Sequence, residues 1–372
     1  TGSGSPRSSN EARDTPPDLG GAARGCYSPA RMRVLHLLAS PVWSGPVDII
    51  ATLAEAQRAL GHEVSVAIDR KREHVTSEEP AAPRLRTMGL LDEGDLELSV
   101  KSSPSAVLFD VRMLRRREVD VVHAHFSHDH LLARFGRPPA ARLVRSIHAP
   151  RSIRWSLPHA DGFTVPTAPL LERLDRRAMV LPPLVGPWFR PAEAPLALRR
   201  ELGLEGEPVI GMVSTFQASR RHALAIEAFA KLRTHRPNAR LVLVGDGGLL
   251  PDIRDLVERK GLSESVTFTG YLSGMQFVRF LQSMDEVWVL GSGNDWSGRA
   301  AAQARACGAR VVTVDEGGLS AWADVVLEAP DPDELVNAAL IFARRDVAIP
   351  SVEDVAAQVL AFYAACGAGG GR

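Results

Sequence analysis

The chain has 372 residues, 45% hydrophobic and 24% charged, with 44 basic and 44 acidic side chains. That length allows two domains with separate cores, and zero formal net charge argues against nucleic acid as a partner. No apolar run approaches the ~20 residues that a membrane-spanning helix needs. The three cysteines, Cys26, Cys307 and Cys366, are widely spaced and fit neither a disulfide framework nor a metal motif, so a reducing, cytoplasmic setting is expected.

Residues 1–31 are rich in Gly, Ser and Pro and lack the apolar segment of a signal peptide. They are expected to be a disordered tail ahead of a natural start at Met32. From there "MRVLHLLA" reads as a buried strand, "SPVWSGP" as a loop, "VDIIATLAEAQRAL" as an amphipathic helix stopped by Gly61, and "HEVSVAI" as a second strand. Residues 70–105 are polar and weakly patterned. A helix over 105–117, the strand "VDVVHAHF", a helix over 129–136, the strands "RLVRSIHA" and "GFTVPT" and a helix over 167–176 follow. "MVLPPLVGPWFRPAEAP" (179–195) carries five prolines and reads as a linker. The pattern then restarts with "PVIGMVSTF", "RHALAIEAFAKLRTH", "ARLVLVGDG", a helix over 249–260, "SVTFTGY", a helix over 274–283, "DEVWVLGS", an Ala-rich helix, "RVVTV", "DVVLEA" and the helix "DPDELVNAALIFARR". A last helix is expected over 351–365.

Continuous apolar strands separated by helices indicate parallel sheets covered on both faces. The fold class is therefore α/β, with two Rossmann-like doubly wound domains facing a cleft. The expected boundaries are 32–190, 191–348 and a C-terminal segment, 349–372, whose helix can pack back on the first domain. Ligands of such sheets bind beyond the carboxyl ends of the strands, so the loops there carry the search. Charge is uneven: residues 112–190 hold 14 basic and six acidic side chains, including Arg115–Arg117. A basic face of this kind suits an anionic membrane surface or a phosphorylated acceptor, and equally a solvated surface.

The second half resembles the donor domain of glycosyltransferase family 4, retaining enzymes of the GT-B fold. The resemblance rests on "ARLVLVGDGGLLPDIRDLVERKGLSESVTFTGYLS" (239–273), "MDEVWVLGS" and "ACGARVVTVDEGG". "GHEVSV", "VDVVHAHF" and "RSIHAP" are similar to segments of the family's first domain. The resemblance implies a nucleotide diphosphate sugar as donor, of the UDP or GDP type, a hydroxyl acceptor on a glycan or lipid-linked glycan, and no metal or other cofactor. It points to bacterial-type polysaccharide or envelope synthesis in the cytoplasm or peripherally at the inner face of the membrane.

The resemblance also assigns residues. The family's E-x7-E pair falls on Asp295 and Gln303, the first to orient the donor sugar and the second to hold the ribose. Gly298 keeps the glycine between them. Thr215 stands where the family has a clamp Arg and Arg220 where it has a Lys, with Arg221 beside it. Gly245, Gly247, Gly317 and Gly318 lie in the donor loops, and Ala321 replaces a third carboxylate. His148 matches a histidine near the reacting sugar, so His148, Asp295 and Arg220 are the catalytic candidates. Gly45 and His125 complete the first domain's contribution, with Pro46 in place of a second loop glycine. Each has a plainer alternative. Asp295 can be a helix-start residue paired with Arg299, Gln303 a surface residue, Arg220 and Arg221 solvated cations, His148 an ordinary histidine, and Gly45 a turn. "HAHFSHDH" invites a metal site at His123, His125, His128 and His130, but no zinc-type spacing supports it. Weakened donor motifs leave two other functions open: a catalytically degenerate GT-B subunit that binds a partner or glycan, and a nucleotide-sugar epimerase or hydrolase.

Overall fold

The computed structural model describes residues 30–70, 79–98, 103–153, 157–292, 298–341 and 343–367. The first half runs β1 (Arg33–Leu38), α1 (Gly45–Ala59), β2 (Glu63–Ile68), α2 (Ala81–Thr87), α3 (Pro104–Arg115), β3 (Val121–Ala124), α4 (Ser127–Gly136), β4 (Arg142–Ser146), β5 (Gly162–Val165), α5 (Ala168–Leu171) and β6 (Ala178–Val180). The second runs α6 (Pro195–Leu202), β7 (Val209–Val213), α7 (His222–His235), β8 (Arg240–Val244), α8 (Leu250–Arg259), β9 (Val266–Gly270), α9 (Gly274–Gln282), β10 (Glu286–Val289), α10 (Arg299–Ala306), β11 (Arg310–Val314), β12 (Val325–Leu327) and α11 (Pro332–Leu340). α12 (Val352–Gly367) follows.

Each half forms one parallel six-stranded sheet, ordered β2-β1-β3-β4-β5-β6 and β12-β11-β10-β7-β8-β9. The strands are the continuous apolar runs of the sequence. Helices cover both faces, so the inner strands are almost wholly buried, while the edge strands β6, β9 and β12 are largely half-buried. In both sheets the winding reverses beside the first strand, between β1 and β3 and between β7 and β10. Those reversals open the crevices where ligands of such folds bind.

Local signals set most helix ends. Ser103 Oγ accepts from Ala106 N at 3.3 Å ahead of Pro104 in the first turn of α3. The Asp331 carboxylate accepts from Asp333 and Glu334 N–H groups at the start of α11.

Three expectations need correction. The helix expected over 167–176 is a single turn, α5, beginning with Pro169 near its start. The linker expected over 179–195 begins inside β6, which adds an edge strand to the first sheet, and ends on Pro195, the first residue of α6. Proline suits that position because its missing N–H has no intrahelical partner there anyway. The weakly patterned stretch 70–105, as far as it is described, contains α2.

α12 leaves the second half and packs on α1 and β4. Val355, Ala356, Val359, Leu360 and Tyr363 join Val47, Ile50 and Leu53 in the core of the first sheet. Each fully buried Val or Leu contributes about 1.5–3 kcal/mol, so this face holds the helix without help from its polar side.

Candidate active site

In the second half, the residues singled out in the sequence gather at the ends of β7, β10 and β11. The loop after β7 exposes Thr215 and then carries Arg220 and Arg221, both partly buried. Arg220 lies across the end of β10: its Nη1 is 2.5 Å from where a Cβ on Gly291 would stand. Arg221 reaches the same strand end. Its guanidinium donates to Leu290 O at 2.9 Å and pairs with Glu316 at 2.9 Å. That pairing anchors the β7 loop to the loop carrying Gly317 and Gly318.

Gly245 and Gly247 stand one layer back. A Cβ on Gly245, whose φ is 141°, would lie 2.1 Å from Ser214 O, and one on Gly247 2.7 Å from Phe216 N. These glycines let the β8 loop cross directly behind the β7 loop. Gly298, at φ 62°, caps α10, and its Cα faces Gly318 O and Trp322. Gln303 is buried on the inner face of α10, which overturns the surface alternative for this residue. An Ala-rich helix tells little about which face is inside, and here the polar Gln lies among the buried alanines. Asp295 lies outside the described residues.

In the first half, His125 and His148 follow the ends of β3 and β4, their rings 6.3 Å apart. His148 borders a small cavity with Ile49, Ser146, Thr164, Leu181 and Pro182. Ile49 belongs to α1, the helix that begins at Gly45.

His125 opens a buried polar chain that the sequence did not announce. Its Nε2 lies 3.0 Å from His36 Nδ1, and His36 Nε2 lies 3.0 Å from Gln57 Oε1. Gln57 Nε2 donates to the Tyr363 hydroxyl at 3.4 Å; that hydroxyl meets His123 Nδ1 at 2.6 Å. His123 Nε2 meets Ser146 Oγ at 2.8 Å, and Ser146 meets Thr164 Oγ1 at 2.8 Å. The tautomers follow from the amide. Gln57 Oε1 only accepts, so His36 carries its proton on Nε2 and accepts at Nδ1, and His125 donates from Nε2. Burial favours neutral rings throughout, pushing His36 down to about 4 and His123 and His125 well below the usual histidine range.

The ring nitrogens of His36, His123 and His125 lie within 4.8 Å of one another, a spacing that a metal could bridge. A metal would have to displace the hydrogen bonds just described. Of the other histidines in "HAHFSHDH", His130 points elsewhere, to His159 O at 3.2 Å. His36 escaped notice because it sits in a strand 87 residues earlier, among leucines. A polar residue in an otherwise apolar strand was the available signal. Asp129 also emerges: it accepts from Phe126 N at 2.9 Å and Ala39 N at 3.0 Å, tying α4 to the end of β1. Its burial raises the carboxyl to about 7.

The halves meet at two helix N-termini. Arg299, the first residue of α10, pairs with Asp48 in the first turn of α1 and donates to Gly45 O at 3.2 Å. Gly45, Asp48, Gly298 and Arg299 thus close one end of the cleft. Arg220 and the Gly317–Gly318 loop lie at strand ends of the second sheet, and His148 follows β4 of the first. Two helix N-termini concentrate unpaired N–H groups and positive potential at one place, an arrangement suited to an anion.

Residues 196–338 match the family model for glycosyl transferases group 1, and residues 43–183 match that for glycosyltransferase family 4. The 2-deoxystreptamine glucosyltransferase of Streptomyces kanamyceticus is 28% identical over 246 residues, 56% of this chain and 63% of that protein. D-inositol 3-phosphate glycosyltransferase of Stackebrandtia nassauensis is 34% identical over 155 residues, 39% of this chain and 34% of that protein. The chain thus spans less than two thirds of the length of these relatives. Anabaena Alr3699/HepE in complex with UDP shares the fold, with a TM-score of 0.70 at 16% identity over 90% of this chain and 100% of that one. One matched segment lies on each sheet, and the chain belongs to the group 1, family 4 glycosyltransferases of GT-B fold.

Proposed function

We propose that this chain is a retaining transferase that moves a hexose-type sugar from a UDP- or GDP-type donor to a hydroxyl of a glycan or glycolipid. The observation that carries this reading is the placement of Arg220 across the end of β10, at the β7/β10 switch point, together with the meeting of the α10 and α1 N-termini through Arg299 and Gly45. A diphosphate there would receive backbone N–H donors from the first turn of α10 and a bidentate guanidinium from Arg220. Anabaena HepE, of the same fold, was also solved with UDP-glucose.

In this reading the C–O bond from the anomeric carbon to the β-phosphate breaks while the acceptor oxygen approaches on the same face. The new C–O bond forms there, and the departing phosphate oxygen takes the acceptor's proton. The transition state gains negative charge on the diphosphate, and preorganised donors aimed at that charge supply the largest stabilisation. Asp295 would orient the sugar hydroxyls, Gln303 the ribose, and His148 would stand beside the sugar across the cleft.

Thermal shifts with UDP, GDP, ADP, CMP and dTDP test the reading. A nucleotide at 100 times its dissociation constant adds about 2.7 kcal/mol, a shift of a few degrees. We expect one nucleotide to produce it and Arg220→Ala to abolish it. No shift with any nucleotide would support a non-catalytic GT-B subunit instead. Donor turnover without acceptor would support an epimerase or hydrolase.

A further inference from the structure

Three histidines from adjacent strands of the first sheet converge in its core. His36 lies in β1, His123 at the matching position of β3, and His125 just beyond β3. Their ring centroids are 5.3 Å (His36–His123), 5.2 Å (His36–His125) and 4.3 Å (His123–His125) apart. One ring nitrogen from each lies within 4.8 Å of the other two. Tyr363 of α12 adds an oxygen at the same place, 2.6 Å from His123 Nδ1. All four side chains are fully buried.

The hydrogen bonds already turn most of the lone pairs inward. His36 gives its Nε2 proton to Gln57 Oε1, so its Nδ1 carries a lone pair. The Tyr363 hydroxyl accepts from Gln57 Nε2 and therefore donates to His123 Nδ1, while His123 Nε2 donates to Ser146 Oγ. Two of the three rings thus hold the tautomer of a metal ligand, their outer nitrogens fixed by an amide and a hydroxyl as such ligands usually are. His125 is the exception. Its Nε2 proton bridges to His36 Nδ1 at 3.0 Å, and its buried Nδ1 has no partner among the described residues. Moving that proton to Nδ1 turns the third lone pair inward. The 3.0 Å separation is close to the roughly 3.3 Å between two nitrogens bound to a tetrahedral ion.

We propose that His36, His123, His125 and Tyr363 form a site for one divalent, zinc-type transition ion. A hydrogen-bonded core explains the outer partners but leaves a buried His125 nitrogen with nothing to bind. Imidazole suits this class of ion, whereas Mg2+ and Ca2+ demand oxygen ligands. The ion takes the lone pairs of His36 Nδ1, His123 Nδ1 and His125 Nε2. Tyr363 releases its proton to solvent and binds as phenolate, which cancels one of the two metal charges in a dry site. Only the His36–His125 and His123–Tyr363 bonds are displaced; the bonds from the rings to Gln57 and Ser146 persist. The ion would staple α12 to β1 and β3. The inference does not depend on transfer chemistry, and its test reads metal alone.

The test is incubation of the untagged full chain with Co2+, followed by removal of free ion. Because the site is closed, chain produced in Zn2+-supplemented medium is assayed for metal in parallel, so that slow entry is not mistaken for lack of a site. We expect one equivalent per chain, the visible bands of four-coordinate cobalt, and a melting temperature raised by a few degrees. His36→Gln should bind at least tenfold more weakly. His159→Gln, which alters an exposed histidine outside the cluster, should bind like the parent. Should His36→Gln fail to fold, Tyr363→Phe keeps all three rings and must change the cobalt spectrum. Absence of bound metal in both preparations, equal binding by His36→Gln, or an unchanged cobalt spectrum in Tyr363→Phe would overturn the proposal.

Discussion

The guanidinium of Arg299 reaches from the first turn of α10 to the carboxylate of Asp48 in the first turn of α1, joining the two sheets' helices at the mouth of the cleft. Both side chains are about a quarter exposed, so solvent screening holds the pair to about 1 kcal/mol. That is still roughly a fivefold change in the ratio of closed to open domains. Asp48→Asn should therefore raise the radius of gyration in small-angle scattering while leaving the melting temperature nearly unchanged. An unchanged radius would mean that the apolar contacts of the interface, not this pair, set the closure.

Acid should unfold the first domain early. His36 titrates near 6.5 when unfolded and is held at about 4 when folded, because burial disfavours its charged form. Between those values the unfolded chain binds more protons, so stability rises with pH and falls as pH drops. His36 alone should lose about 2 kcal/mol by pH 5, and His123 and His125 shift in the same direction. Urea midpoints measured from pH 7 to pH 4.5 should decline steadily. Asp129, raised to about 7, works in the opposite direction over this range, so a flat or rising profile would show that the rings are not all buried neutral.

Removing one hydroxyl should be costly. Tyr363→Phe leaves His123 Nδ1 and Gln57 Nε2 facing an apolar edge, both fully buried. An unsatisfied buried polar group costs about 1–3 kcal/mol, to be read as a lower urea midpoint with an unchanged slope. A loss below ~0.5 kcal/mol would show that the chain of hydrogen bonds re-forms around the gap.

Gly245→Ala tests the architecture of the β7 loop. The added methyl would collide with Ser214 O, and φ 141° is unfavourable for any other residue. A loss above ~1 kcal/mol is expected, together with weaker nucleotide binding, because Arg220 rides on the displaced loop. Full nucleotide affinity in this variant would separate the β8 loop from the site.

The apolar runs announced nearly every strand, because strands buried on both faces have little freedom in composition. A helix end was legible where a Gly marked it, as at Gly61. The one-turn α5 was not, since its apolar spacing mimics a longer helix. Gly298, Arg220 and the Gly317–Gly318 loop were singled out through the family resemblance; Gly298 does face Gly318, and Arg221 ties the loop carrying Arg220 to Glu316. What stayed hidden was whatever depends on distant pairing. Asp48 finds Arg299 across 251 positions and His123 finds Tyr363 across 240, and no local pattern encodes either.

The route of α12 has a consequence for synthesis. The first sheet emerges from the ribosome long before residues 352–367, yet Val355, Val359, Leu360 and Tyr363 belong to its core. Until they arrive, the outer face of α1 has no cover, and His123 lacks its hydroxyl partner. The second half can close its own core while the first still waits, so the order of domain completion is the reverse of the order of translation. A truncation before residue 352 therefore damages the domain farthest from it in sequence, and an excised N-terminal half would be born with an apolar stripe open to water.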